Sequence, residues 1–161
     1  MEKENFSVVE NSPSLFPKLF KVTDFAALDD IRFVGDSKEV DMGQIVPVSH
    51  DNYATIFSYG ANPCISGLIV DPNNQLFCLH SLGPILTSEQ EDLIKSAKKG
   101  IVGGGIETLN SYKNSLKKSN IQIMIPPSYN HDFNFVLVKL KTEFKTKPGF
   151  YFCYDNQIDL D

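Results

Sequence analysis

The chain has 161 residues, of which 42% are hydrophobic and 22% are charged, and this composition is typical of one globular domain. It excludes long disorder and collagen-like structure, because disordered chains have too few apolar residues to form a core. The 20 acidic and 15 basic residues give a formal net charge of −5. Nucleic-acid affinity depends largely on basic residues that neutralise phosphates, so a protein or small-molecule partner is expected instead.

Cysteine and histidine usage predicts neither disulfides nor a metal site. The three cysteines and three histidines are widely spaced, and no Cys-x-x-Cys pair occurs. The N-terminus has mixed charge rather than the apolar run of a signal peptide, and no apolar stretch approaches the roughly 20 residues that cross a bilayer. We therefore expect a monomer in a reducing cytoplasm, with no membrane span, metal or cofactor. Export without a cleavable signal stays open.

The first part of the chain predicts an N-terminal elaboration followed by strands. Residues 1–38 form the elaboration, with a short helix at Asp24–Ile31, and residues 39–161 form the remainder of one compact domain. Short apolar runs bounded by Gly, Pro, Asn and Asp are typical of strands, and a Pro-Asn-Asn turn joins the last two runs as a hairpin. These runs occupy residues 44–48, 54–58, 65–70 and 75–80.

The second part predicts two helices and three further strands. Ser88 and Glu91 have the spacing of a capping box, which predicts a helix with Lys98 and Lys99 in its last turn and Gly100 after it. The three glycines at 103–105 indicate close backbone approach, because the residues that a phosphate loop requires are absent. A second helix is predicted over residues 107–118, and strands over 121–125 (buried), 133–140 and 150–154. We expect an α+β fold with mixed, sandwich-like sheets and flanking helices.

One pair of predicted strands places a cysteine and a histidine together. Cys64 opens the first strand of the hairpin and His80 ends the second, so antiparallel pairing sets the two ends side by side. Imidazole within hydrogen-bond reach of a thiol activates it as a nucleophile and lowers its pKa. Ser58, at the end of the preceding strand, is expected to orient the imidazole as a third member. Backbone amides of the turn at Asn62–Cys64, other than that of Pro63, which has no N–H, would donate to a developing oxyanion.

The remaining cysteines and histidines have simpler interpretations. A single buried cysteine is more often a small hydrophobe than a nucleophile. Cys78 lies on the same strand face as His80, where it lines the site or packs in the core, and core packing is favoured. Cys153 stands in an aromatic run and is predicted to be in the core. His50 and His131 are predicted to be solvated turn residues.

This region resembles the CheD chemoreceptor glutamine deamidases. That family has Met-Gly near the start of its core, then Thr-x-Gly-x-Gly-Ser-Cys before an apolar strand ending in Tyr-Asp, then a hairpin ending in Ala-His. The corresponding residues here are Met42-Gly43, Ser58, Gly60, Cys64, Val70-Asp71 and Leu79-His80. The family's second Gly, its Ser and its hairpin Gly-Gly-Met are replaced here by Asn62, Pro63 and Leu76-Phe77-Cys78. The resemblance covers residues 39–125, and the wider group includes the catalytic domain of the cytotoxic necrotizing factors.

The resemblance implies hydrolysis of a glutamine side chain in a protein substrate to glutamate, with release of ammonia and without a metal or cofactor. Cys64 would attack the carboxamide, His80 would act as base and Ser58 would orient His80. Gly60, Asn62 and Cys78 would shape the site. Two settings are open: a bacterial cytoplasmic enzyme of chemotaxis, or an effector exported to act in a host cell.

An alternative keeps the fold without the catalysis, as a protein-binding or regulatory module. The distance from Cys64 Sγ to His80, and the presence of an open groove above them, separate the two interpretations.

Overall fold

Two five-stranded sheets hold most of the chain in the computed structural model, which describes residues 16–32, 36–49, 53–139 and 146–156. With three helices among these residues, the predicted α+β class with mixed sheets is confirmed. The elements are β1 (Leu19–Lys21), α1 (Phe25–Arg32), β2 (Ser37–Glu39), β3 (Ile45–Pro47), β4 (Thr55–Ala61), β5 (Ile65–Val70), β6 (Leu76–His80), α2 (Ser88–Ser96), β7 (Lys99–Gly104), α3 (Ile106–Lys118), β8 (Ile121–Met124), β9 (His131–Val138) and β10 (Gly149–Asn156).

Each sheet combines parallel and antiparallel pairs. The first sheet has the order β1-β10-β9-β4-β2, in which both edge strands are parallel to their neighbours. The second sheet has the order β3-β6-β5-β7-β8, in which only the pair β7–β8 is parallel. The predicted β5–β6 hairpin is therefore at the centre of the second sheet, and the bounds of β5 agree with the prediction.

The alternation of side chains along the strands gives the molecule a central core between the sheets. Phe133 and Phe135 of the first sheet belong to one buried cluster with Leu68 and Ile101 of the second. Because successive strand residues point to opposite faces, the other residues of each strand face outward and need a helix to cover them.

Helices cover both outer faces. α1 packs on the first sheet, where Leu28 joins a buried cluster with Val136 and Val138. α2 and α3 pack on the second sheet, where Ile94 and Leu109 join another cluster with its outward residues. None of the helices in the described residues has the length and hydropathy needed to cross a membrane.

The start of α2 is one residue earlier than the predicted capping box. Thr87, not Ser88, is the cap: its Oγ1 accepts the Gln90 amide at 3.1 Å, and Gln90 Oε1 accepts the Thr87 amide at 3.0 Å. Gln90 takes this role in place of Glu91 because its side chain is fully buried against the second sheet, where a neutral amide costs less than a carboxylate.

The predicted end of α2 is wrong. The helix stops at Ser96, and Lys99 and Gly100 belong to β7 instead of to a last turn and its cap. Gly100 is needed in the strand, because a Cβ there would lie 2.6 Å from the Leu68 carbonyl oxygen. The predicted buried strand at 121–125 is the edge strand β8, in which Ile121 alone is classed as buried.

Three strands were not predicted from the sequence: β7, whose residues were assigned to a helix end and a glycine approach, and the short strands β1 and β2. β1 and β2 have three residues each, which is too short for an alternating pattern to stand out. β1 pairs with β10 and β2 with β4, so the described part of residues 1–38 contributes two strands to the first sheet. Residue 140, the predicted end of β9, lies outside the described residues.

The sheets approach closely at Gly103. A Cβ there would lie 2.4 Å from Cδ1 of Phe133 in the opposite sheet. We expect Gly103→Ala to lower the free energy of unfolding by about 1–3 kcal/mol, because a packed core does not yield easily to added volume. Gly83→Ala is the control: it meets no atom within 4 Å and carries only the cost of a φ of +61°. Urea unfolding measures both, and equal losses would contradict the packing argument.

Candidate active site

Two buried polar side chains meet between the sheets. Ser58 projects from β4 in the first sheet, and His80 ends β6 in the second. Ser58 Oγ lies 2.6 Å from His80 Nδ1, and the two residues are 0% and 5% exposed. The predicted contact between these side chains is therefore present, and their catalytic roles stay a prediction.

The second ring nitrogen of His80 is buried without a partner. Nε2 makes no hydrogen bond to any residue that the structure describes. Burial lowers the pKa of His80, because desolvation disfavours the imidazolium, while the charge of Asp41 and the Val40 carbonyl act in the opposite direction. The pKa therefore lies below the ordinary value of about 6.5, and the ring is neutral at neutral pH.

Ser66 is another buried group with unused hydrogen-bonding capacity. It lies directly opposite His80 in the β5–β6 pairing and is fully buried. Its Oγ has no hydrogen-bond partner in the described part of the chain. Because buried polar atoms are nearly always bonded, two such atoms on paired residues point to a site with polar groups available to a ligand. The sequence analysis missed Ser66, since one serine in an apolar strand predicts packing only.

The backbone of His80 is held on both sides. Its carbonyl accepts the Gly43 amide at 2.7 Å and Gln90 Nε2 at 2.9 Å, and its amide donates to the Gln44 carbonyl at 3.3 Å. Gln90 Nε2 also donates to the Gln44 carbonyl at 3.1 Å. The Met42-Gly43 loop and the first turn of α2 therefore fix the end of β6 and the position of the imidazole.

The turn before β5 delivers Cys64 to the same end of the sandwich. Gly60 has a φ of 74°, which favours glycine, and its amide donates to Asn134 Oδ1 at 2.8 Å. Asn62 Nδ2 donates to two carbonyls of residues 129–131, at 2.8 and 3.1 Å. The Asn62 amide donates to the Gly60 carbonyl at 3.0 Å, so it is not free to serve an oxyanion as the sequence suggested. Gly60 and Asn62 act on the shape of the turn.

The predicted close approach at the three glycines is confirmed. A Cβ at Gly104 would lie 2.3 Å from the Cys64 carbonyl oxygen, and the Gly105 amide donates to that oxygen at 3.1 Å. A Cβ at Gly105 would lie 2.8 Å from Asn62 Oδ1. The glycines therefore let the start of α3 pack directly beneath the cysteine turn.

Cys64 is buried, with 4% of the residue exposed, and two donors that the sequence did not predict act on its thiol. Burial raises its pKa, and the Asp132 charge adds to this, whereas the Gly83 amide and the Ser81 hydroxyl stabilise the thiolate and lower it in part. Because desolvation is the largest of these effects, the expectation of a depressed pKa was wrong. In the structure Ser81 Oγ accepts the Ile65 amide at 2.9 Å and donates its single proton to the Gly83 carbonyl at 2.7 Å, so its hydroxyl must turn before it can donate to the thiolate.

No hydrogen bond joins Cys64 to His80 in the described residues, which corrects the expectation that their strand ends lie side by side. The register pairs Ser66 with His80, so Cys64, which comes just before β5, lies two residues before the strand partner of His80 and is its diagonal neighbour. Diagonal Cα atoms on paired strands are about 7–8 Å apart, a span that long side chains bridge and short ones do not. Cys64 and His80 nevertheless share the inward face of the sheet.

The other predicted residues lie as follows. Cys78 is fully buried opposite Leu68 in the central core, and burial raises its pKa, as the core interpretation requires. Cys153 is buried in the cluster between the first sheet and α1. His131 begins β9, with Nδ1 2.7 Å from Ser128 Oγ, instead of lying in a solvated turn. His50 lies outside the described residues.

In the parts of the chain that the structure describes, no three side chains of His, Cys, Asp or Glu are grouped as metal ligands. A scan against models of known protein families found no match to the chain. A search of curated proteins also found no match.

We expect iodoacetamide to modify Cys64 of the folded protein slowly at about pH 7 and faster above about pH 8.5, because the thiolate is the reactive form and burial raises its pKa. Peptide mass spectrometry over a pH series measures the rate. Cys78 is the internal control and stays unmodified until the protein unfolds. Fast modification of Cys64 that does not change between about pH 6 and 8 would contradict the neutral thiol.

Proposed function

We propose that the protein is a cysteine hydrolase of the glutamine deamidase type, with a CheD-like fold, acting on a protein substrate. The observation that carries the proposal is the Ser58–His80 hydrogen bond between the sheets, which leaves His80 Nε2 without a partner on the face that holds Cys64. The resemblance of residues 39–125 to the CheD deamidases supports the same conclusion.

In the proposed reaction, Cys64 Sγ attacks the carbonyl carbon of a glutamine carboxamide while His80 Nε2 accepts the thiol proton. The proton then passes to the amide nitrogen, the C–N bond breaks and ammonia leaves, and the acyl group remains on sulfur as a thioester. Water, deprotonated by His80, cleaves the C–S bond, so that one amide and one water give glutamate and ammonia.

The resting charges favour proton transfer during the attack over a preformed ion pair. Burial raises the pKa of Cys64 and lowers that of His80, so both are neutral before substrate binds. Ser58 accepts a hydrogen bond when Nδ1 carries the proton, and this tautomer leaves the Nε2 lone pair free to act as base. The Gly83 amide, which stabilises the thiolate and lowers its pKa, is a donor available to negative charge that develops at the sulfur.

A turn of the Cys64 side chain is required before the proton can transfer, because the thiol and the imidazole are diagonal neighbours without a hydrogen bond. Such contacts are often loose in a free enzyme and tighten when substrate binds.

A catalytically silent binding module of the same fold is the second candidate. The missing Cys64–His80 hydrogen bond and the small exposure of Cys64 favour it. A cavity of about 710 Å³ lies at the other end of the sandwich, lined by Phe16, Leu76 and Leu137 with Lys18 and Lys147. Its walls are mostly apolar, as in ligand pockets of this size.

Deamidation itself is the decisive measurement. We expect the wild-type chain to convert glutamine in a pooled library of peptides, seen by mass spectrometry as a gain of about 1 Da, and Cys64→Ser to abolish the conversion because an alcohol in this setting is a far weaker nucleophile. Cys153→Ser is the matched control and keeps the activity. Conversion that survives in Cys64→Ser would overturn the mechanism, and an inactive wild type would favour the silent module.

Ser58 is expected to affect the rate of deamidation by orienting the imidazole of His80. We expect Ser58→Ala to lower kcat/KM about 10- to 100-fold, because a base that is not oriented loses part of its usual 10²–10⁴-fold contribution. Ser58→Thr keeps a hydroxyl at the position and is expected to retain most of the activity. Unfolding midpoints of both variants separate this effect from instability, and equal activity of Ser58→Ala and wild type would contradict the role.

A further inference from the structure

Three large apolar side chains are exposed beside the candidate site. Met42, Leu82 and Ile85 are 60%, 57% and 62% exposed. Single exposed hydrophobic residues are normal, whereas neighbouring ones mark a surface that binds another molecule. Leu82 and Ile85 exchange backbone hydrogen bonds of 2.9 and 3.2 Å, and a Cβ at Gly43 would lie 3.6 Å from Leu82 Cδ1. We call Met42, Leu82 and Ile85 the apolar rim.

The apolar rim is built on the segments that hold the reacting groups. Gly43, next to Met42, donates its amide to the His80 carbonyl at 2.7 Å. Gly83, next to Leu82, directs its amide at the Cys64 sulfur. A molecule that covers the rim therefore rests directly beside Cys64 and His80.

Two carboxylates, those of Asp41 and Asp132, lie near His80 and Cys64. Asp41 is exposed beside Met42, and its charge acts on His80. Asp132 lies beside the cysteine turn, with Oδ2 4.0 Å from the position of a Cβ on Gly60, and its charge acts on Cys64. Among the residues that the structure describes, the charges that act on Cys64 and His80 are those of Asp132 and Asp41, whereas Arg32 and Lys38 act on Glu39. Two carboxylates near the candidate site are therefore available to attract a cation.

We propose that the apolar rim, with Asp41 and Asp132, binds a segment of the substrate protein in which the target glutamine is flanked by an apolar residue and by lysine or arginine. This inference rests on the proposed function and specifies its substrate. The apolar neighbour of the glutamine covers the rim, and the cation is attracted by the carboxylates of Asp41 and Asp132, because opposite charge raises specificity and the rate of association.

Binding of such a cation would also act on the thiol. Asp132 raises the pKa of Cys64, and a positive charge placed between Asp132 and the sulfur has the opposite effect. Recognition of a basic segment is thereby coupled to activation of the nucleophile, so that the free enzyme stays unreactive toward other electrophiles.

The test compares three peptides that differ only beside a Leu-Gln pair, where they carry lysine, serine or glutamate. We expect the wild-type chain to deamidate the lysine peptide with a kcat/KM at least 10-fold above that of the glutamate peptide, and expect this ratio to shrink in high salt. Asp41→Lys is expected to reduce the ratio to near one or to invert it, and Leu82→Ser to raise KM for all three peptides. Asp41→Asn serves if Asp41→Lys does not fold.

Asp30→Lys is the matched control, because it makes the same charge change on exposed α1, which packs on the outer face of the first sheet, and it should keep the ratio. Equal rates for the three peptides would overturn this inference and leave the deamidase proposal standing. Failure of the wild-type chain to deamidate any peptide, together with an inactive result on the pooled library, would overturn both.

Discussion

The hydrogen bond between Ser58 and His80 crosses from one sheet to the other in a core that otherwise contains mainly phenylalanine and aliphatic side chains. A buried imidazole in such surroundings requires a partner, and Ser58 supplies one from β4 while Gly43 and Gln90 fix the strand end that carries the ring. The stacking of the two sheets thus determines the orientation of the ring. The central cluster on one side and the glycines beneath the cysteine turn on the other support that stacking.

The sequence was informative wherever side-chain type determines the local structure. Apolar runs located β5 and β6 closely, and the placement of Ser58 and His80 at strand ends predicted their contact. The expected hydrogen bond from Cys64 to His80 is absent because it depends on strand register, and the connection at residues 71–75 sets Ser66, two residues after Cys64, opposite His80. Ser81 and Gly83 were missed because the direction of a backbone amide is a property of the turn and not of the residue type.

Burial explains why the resting site is uncharged. The same desolvation raises the pKa of Cys64 and lowers that of His80, so each group favours its neutral form for the same reason. The Asp41 carboxylate raises the pKa of His80 and so opposes the effect of burial there. The Asp132 carboxylate raises the pKa of Cys64 and so adds to the effect of burial. The charge states of Cys64 and His80 therefore depend more on their burial in the fold than on their residue types. A sequence motif gives only the residue types.

Ser58 and His80 lie on different sheets, so the candidate site forms only when the two sheets pack together. In an unfolded chain Cys64 is an ordinary thiol, with neither the imidazole of His80 nor the Gly83 amide held near it. Peptide fragments that retain only the β5–β6 hairpin keep the cysteine and the histidine but lose the serine that orients the ring. The contact between Ser58 and His80 therefore exists only in the folded sandwich, and any unfolding that separates the two sheets removes it.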